Sequence, residues 1–381
     1  MNSNGLNNKK VFEATIANFL APVREYLQDE SVTEIMINGP HTIFIERKGR
    51  VIKTDAKFED EGSLQAAARN IAQFVGRPLD EENPALDARL PNGSRVHVVM
   101  PPCARNGTTI AIRKFFKVSL TLKDLINFGA LSIDGARFID VCVFLAKNII
   151  VSGGTGSGKT TLLSSIAGRI PKAQRILVIE DSAELQINAD HVVSFETKTA
   201  NDLGRGAVTI RDLLRSALRL RPDRVIVGEV RGSEALDLIS AMNTGHGGSM
   251  GTVHANTPTE TLVRLETLAM MTEVEVPAAA IKAQVGAAIN IIICTARLYD
   301  GSRKVTHISE VLGIDELGRY QTKDIYRFVQ KGRSQEGIII GEMLPTGYVP
   351  TFYDEIERNN IPFPKTKFDP SLTVSSIKPE I

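Results

Sequence analysis

The sequence predicts an α/β protein: a mostly parallel sheet wound with helices, preceded by a smaller α+β domain. Three observations predict it. From about residue 135 onward, short apolar runs alternate with helical stretches, the rhythm of a parallel sheet covered on both faces. At one strand–helix junction stands a glycine-rich loop of the kind that cradles phosphate. Before residue 116 the pattern is instead one of short strands, tight turns and an alanine-rich helix. A chain of 381 residues, at about 150 per domain, accommodates two or three domains.

Taken in order, residues 1–10 are polar and Asn-rich and read as a disordered tail. No apolar core follows a basic start there, so the tail is not read as a signal peptide. Over 11–28 the apolar residues Phe12, Ile16, Phe19, Leu20, Val23 and Leu27 recur at helical spacing. Strands are expected at 34–38, 42–46 and 50–53, with Gly39-Pro40 and Lys48-Gly49 as turns. A helix follows at 64–75, then a Pro-Asn-Gly turn leading into a strand within 88–99, and a strand at 108–115. Together these make an α+β domain over 11–116. A linker over 117–134 carries a short helix at 122–126. The α/β domain over 135–318 has strands at 148–151, 175–179, 191–196, 224–227 and 248–253. Its helices fall at 159–169, 210–219, 233–243 and 259–271. Strand-like stretches at 288–298 and 304–313 extend the sheet, and 319–381 form a C-terminal extension.

Composition narrows the function. The chain is 43% hydrophobic and 23% charged, which places it among globular chains. Lys+Arg number 45 against 44 Asp+Glu, a net charge of +1, so no direct nucleic-acid binding is expected. Cys103, Cys142 and Cys294 are far apart and form neither a CxxC pair nor a metal spacing, which points to reduced thiols in a cytoplasmic protein. No stretch approaches the roughly 20 apolar residues of a membrane span. The longest, Val285 to Cys294, reads as a buried strand, so any membrane association is expected to be peripheral.

Gly153-Gly154-Thr155-Gly156-Ser157-Gly158-Lys159-Thr160-Thr161 is a full GxxxxGK[ST] match between an apolar strand and a helix. Glycines let successive N–H groups turn toward phosphate, and the helix start adds partial positive charge. Lys159 is suited to the β- and γ-phosphates and Thr160 to Mg²⁺. No guanine-reading signature follows, so the nucleotide is expected to be ATP. Two apolar strands end in carboxylates: 176–179 in Glu180-Asp181, and 224–227 in Gly228-Glu229. Carboxylates at such strand ends can hold Mg²⁺ and orient the attacking water. Glu229 is assigned the general-base role, with Glu180 the alternative, and Glu180 and Asp181 support the metal. Gly228 stands where an Asp usually precedes the Glu. In 243–257 His246 and His254 flank a strand. His254 reads as a γ-phosphate sensor or interface residue, and His246 as a residue close to the nucleotide or a neighbouring subunit.

These blocks together resemble the type II/type IV secretion ATPases, above all their VirB11-like and CpaF/TadA-like branch. In that family's order stand the phosphate loop, the box Ile179-Glu-Asp181, the atypical Ile226-Val-Gly-Glu-Val-Arg-Gly232, and Gly245-His-Gly-Gly-Ser249 with Thr252-Val-His-Ala-Asn256. Leu218-Arg-Leu-Arg-Pro-Asp223, Glu34-Ile-Met-Ile-Asn-Gly-Pro40 and Leu90-Pro-Asn-Gly-Ser-Arg95 match as well. The resemblance covers about 15–315. It implies a RecA-like P-loop ATPase domain behind a sensory-like α+β domain. It implies a homo-hexamer at the cytoplasmic face of the inner membrane, working with inner-membrane components of a secretion or pilus machine. It also implies that Arg95, Arg105 and Arg113 reach the phosphates or base region. Thr346-Gly-Tyr-Val-Pro-Thr-Phe352 looks like the CpaF/TadA branch rather than the short VirB11 forms.

Overall fold

The computed structural model describes residues 18–47, 49–115, 120–200 and 204–372. The expected tail 1–10, and residues 11–17 of the expected first helix, lie outside them. The chain divides into two compact units, Met1–Lys117 and Val118–Ile381.

In the first unit the described part of the expected 11–28 helix is broken. A 3-10 turn, Ala21–Val23, with Pro22 in its first turn precedes the short helix α1 (Arg24–Gln28). Proline has no N–H to give and fixes its own φ, so it begins a helical segment rather than continuing one. A six-stranded antiparallel sheet follows. Its strands are β1 (Val32–Asn38), β2 (Ile43–Arg47), β3 (Arg50–Lys53), β4 (Ala85–Arg89), β5 (Arg95–Val99) and β6 (Thr109–Arg113), in the order β3-β2-β1-β6-β5-β4. Helix α2 (Glu61–Val75) opens with a reciprocal cap between Asp60 and Ser63. Its Leu64, Ala67, Ala68 and Ile71, spaced on one face, share a core with Val32, Ile35 and Ile37 of β1.

The second unit begins inside the expected linker. Helices α3 (Leu122–Asn127) and α4 (Ile133–Phe144) pack Leu122, Leu125, Phe138 and Ile139 into its core. Apolar surface of that size is removed from water only by burial, at roughly 1.5–3 kcal/mol per large side chain, so the segment folds with the unit. The order continues β7 (Ile149–Gly153), α5 (Lys159–Ala167), β8 (Ile176–Glu180), β9 (Val192–Glu196), α6 (Ile210–Ala217), β10 (Arg224–Val227), α7 (Glu234–Asn243), β11 (Met250–Val253), α8 (Pro258–Ala269) and α9 (Ala278–Ala288). It closes with β12 (Ile291–Arg297), β13 (Arg303–Ile314), β14 (Tyr320–Arg333), β15 (Ile339–Pro345) and α10 (Tyr353–Arg358).

One nine-stranded sheet results, β15-β14-β13-β12-β7-β11-β10-β8-β9, parallel from β12 to β9 and antiparallel from β12 to β15. Successive strand residues serve opposite faces. Ile149 and Val151 enter one core with α4 and α5, while Ile150 enters the other with α6 to α9. This is why the strands read as unbroken apolar runs. Residues 320–345, expected to be an extension beyond the domain, carry the sheet onward as β14 and β15. Phe352, Phe363 and Phe368 then pack around Phe138, with ring centroids 5.7–6.2 Å away. Among the described residues no helix is long and apolar enough to cross a membrane.

Candidate active site

The parallel strands bring their carboxyl ends to one edge. β7 ends at Gly153, β8 at Glu180, β10 just before Gly228-Glu229, and β11 just before His254. The registers Val253 with Ser152, and Ile179 with Val227, hold these ends level. In the phosphate loop Gly156 and Gly158 adopt φ of 70° and 96°, a region L side chains rarely enter, so the tight turn needs glycine there. Gly153, Ser157 and Lys159 are buried; Gly154, Gly156, Gly158, Thr160 and Thr161 are half-buried, and Thr155 is exposed. Helix α5 starts behind Gly158 with no side-chain cap and no acidic residue in its first turn. Helices α3 and α6, by contrast, are capped by Thr121 with Asp124 and Thr209 with Asp212. The start of α5 thus keeps its field of N–H groups for an anion.

Lys159 Nζ donates to the carbonyls of Gly153 (2.9 Å) and Gly154 (3.0 Å) and stands 3.4 Å from His254 Nδ1. His254 Nε2 lies 2.6 Å from Glu229 Oε1, and Arg231 Nη2 donates to Glu229 Oε2 at 2.6 Å. Arg231 Nη1 is also 3.6 Å from Asp181 Oδ2. Ammonium, imidazole, carboxylate and guanidinium therefore form one contiguous row. Glu229 Oε1 is buried, and no hydrogen bond is aligned on it, the close imidazole included. Burial pushes the Glu229 carboxyl up, but the Arg231 hydrogen bond and the charges of Arg231, His254 and Lys159 together hold it below the usual range. Burial, then the Lys159 charge, push His254 below its ordinary value against the pull of Glu229. The row thus keeps an ionised carboxylate and a neutral imidazole beside a lysine, a set able to bind phosphate and take a proton.

Glu180 is buried at the end of β8, its Oε1 accepting from the N–H groups of Glu184 and Leu185, both at 2.9 Å. A side chain at 228 would put its Cβ 2.7 Å from Glu180 Cγ. The unusual glycine thus has a local reason: Glu180 fills the space beside β10 that a residue-228 side chain would need. Asp181 is exposed, its carbonyl and Oδ1 accepting from the Thr197 hydroxyl.

His246 is not brought to this edge. It precedes β11, whereas His254 follows it, and the four residues of β11 alone span about 13 Å at 3.3 Å each. At that opposite end Asn148 Oδ1 accepts from the N–H groups of Gly248 and Ser249, and buried Arg224 donates to the Gly247 carbonyl. Arg95 and Arg113 face each other across β5 and β6 in the first unit, Arg113 3.8 Å from Glu34; Arg105 is exposed in the turn before β6. Sequence reasoning missed Arg231, and also Thr295 and Arg303, which hydrogen-bond to the Ser157 hydroxyl and the Gly156 carbonyl of the loop. Arg231 had a usable signal, since residues two apart on an extended segment point the same way. The other two lie more than 130 residues beyond the loop, and nothing local marks them.

Sheet, loop and carboxylate-bearing strand ends define a RecA-like P-loop ATPase. Residues 17–331 match the family described as "Type II/IV secretion system protein", and the chain belongs to that family. It is 34% identical over 303 residues to the conjugal transfer protein TrbB of Rhizobium radiobacter, covering 78% of this chain and 88% of that one. It is 32% identical over 330 residues to the type IV secretion system protein VirB11 of Brucella suis, covering 79% and 91%. Among solved structures, the pilus retraction motor PilT with bound ADP superposes with a TM-score of 0.55 at 20% identity, covering 90% of this chain and 86% of that one. Membership makes the chain a nucleotide-binding ATPase.

Proposed function

We propose that this ATPase is the motor of a type IV secretion or related pilus machine. It works as a ring of six subunits, held peripherally at the cytoplasmic face of the inner membrane by that machine's membrane components. The observation that carries the reading is the Lys159–His254–Glu229 row in a chain that spans 88% of a TrbB and 91% of a VirB11.

Lys159 binds the β- and γ-phosphates, with the α5 start and the loop N–H groups. Glu229 orients the attacking water and takes its proton at Oε1, the buried oxygen with no aligned donor. His254 lies between Lys159 and Glu229 and senses whether the γ-phosphate is present. The Thr160 hydroxyl and the Glu180 and Asp181 carboxylates are all-oxygen donors that suit Mg²⁺, which when bound neutralises phosphate charge. Arg95, Arg105 and Arg113 are candidates for stabilising charge on the transferred phosphoryl group. Binding and hydrolysis in turn around the ring supply the movement that the membrane partners feel.

The test is phosphate release by the purified chain with Mg²⁺ and ATP. The reading expects turnover that Lys159→Ala abolishes and single-stranded DNA leaves unchanged. Turnover stimulated by single-stranded DNA and lost at high salt would point instead to a nucleic-acid translocase.

A further inference from the structure

Strand β12 runs beside β7, with Thr295 the register partner of Gly153. Thr295 and Ser157 are both buried, and their hydroxyls share a 2.8 Å hydrogen bond; the Thr295 hydroxyl also reaches the Ser152 carbonyl at 3.2 Å. At the start of β13, across from Arg297, the exposed Arg303 donates from Nε to the Gly156 carbonyl at 2.8 Å. Gly156 and Ser157 are joined by a single peptide, and that peptide is trans. In a trans peptide the carbonyl and the following N–H point opposite ways. Arg303 draws the Gly156 carbonyl toward β13. The Ser157 N–H is thereby turned across the loop, where it donates to the Gly154 carbonyl at 3.4 Å. Thr295 fixes the same residue by its side chain. One peptide of the phosphate loop is thus gripped twice from a hairpin remote in sequence.

We propose that Thr295 and Arg303 are positioning residues of the nucleotide site, bracing the 156–157 peptide so that the Ser157 N–H is held across the loop, where phosphate would displace the Gly154 carbonyl as its acceptor. The proposal rests on the reading of the loop as the ATP site and adds to it a second support, from β12 and β13. Phosphate-loop donors serve the β- and γ-phosphates, so the brace acts on ADP and ATP and not on the nucleoside. An N–H that must first be reoriented forfeits part of a charge-assisted hydrogen bond, which corresponds to about tenfold in affinity.

The experiment measures ADP and AMP binding to the full chain by calorimetry or by displacement of a fluorescent ADP, with a thermal melt on each sample. Thr295→Val keeps the shape and removes the hydroxyl; Thr295→Ser keeps the hydroxyl; Arg303→Gln changes an exposed side chain and decides the matter if Thr295→Val fails to fold. The expected result is ADP weakened about tenfold by Thr295→Val and by Arg303→Gln, AMP unchanged, and Thr295→Ser close to the unsubstituted chain. ADP binding unchanged in both variants, or ADP and AMP weakened in equal proportion, would overturn the brace while leaving the nucleotide site standing. An unsubstituted chain that binds no ADP would remove the site and the brace together.

Discussion

Replacing Glu229 by Gln removes one charge and a proton acceptor while keeping the side-chain shape. In the structure Glu229 Oε2 takes the Arg231 hydrogen bond and Oε1 faces His254 Nε2, each at 2.6 Å. With Lys159 Nζ, a donor, on the Nδ1 side, the consistent tautomer carries its proton on Nε2. A glutamine oxygen kept on Arg231 would leave its NH₂ at the Oε1 position, 2.6 Å from His254 Nε2, one donor nitrogen crowding another although no hydrogen bond is aligned between them. The variant would therefore lose the base and also disturb the His254–Lys159 contact. A positioned general base is worth about 10²–10⁴ in rate, or about 3–5 kcal/mol of barrier. Stability should change far less. Arg231 is 59% exposed, and an ion pair so open to water contributes at most about 1 kcal/mol. The assay is phosphate release at saturating ATP with Mg²⁺, beside ADP binding on the same preparation. Turnover down at least a hundredfold with ADP affinity nearly kept is the expected outcome. Turnover within tenfold of the unsubstituted chain would refute the assignment, and a matching loss in Glu180→Gln would transfer the role to Glu180.

Further outcomes follow from the same geometry. Lys159→Ala should lose measurable ADP affinity as well as hydrolysis, because the ammonium is the one full positive charge the loop itself supplies; tight ADP binding by that variant would contradict the phosphate role. Gly228→Asp, which restores the usual acid before Glu229, should collide with Glu180 and cost about 1–3 kcal/mol, as overpacking does. Adding Glu180→Ala should recover much of the lost thermal midpoint, and no recovery would mean the two side chains do not compete for the space. His254 sits below its ordinary pKa, so the folded chain holds its ring neutral where the unfolded chain begins to protonate it. The stability it contributes is complete above the unfolded value, about 6.5, and is lost as pH falls through the lower folded one. Turnover that needs the neutral ring should accordingly be flat from about pH 6.5 upward and fall only below. A His254→Gln variant that keeps the acid limb would show that another group titrates there.

The phosphate loop, the two carboxylate-bearing strand ends and His254 were legible in the sequence because each follows a short apolar run of strand length, rich in β-branched residues. Helix α4 was not, since Phe138, Ile139, Val141, Cys142 and Val143 are all buried and its apolar residues crowd into a run without a clean helical period. Helix α9 was not expected, and its last residues were read into the buried strand expected at Val285 to Cys294 for the same reason, although Pro277 at its start marks a boundary. β14 and β15 carry Lys, Arg and Glu along an outer, half-exposed part of the sheet, which hid their strand character. His246 and His254 share one glycine-rich segment, and only the length of β11 separates their surroundings. The Thr295–Ser157 contact joins residues 138 apart, a pairing set by sheet order and by no local pattern.

The central claim, a motor that turns over as a ring, is tested most directly by ATPase rate measured against protein concentration, with particle size determined on the same samples. The account predicts turnover per subunit that rises as six-subunit particles form. Full turnover from a monomer would contradict it and leave a P-loop ATPase complete within one chain.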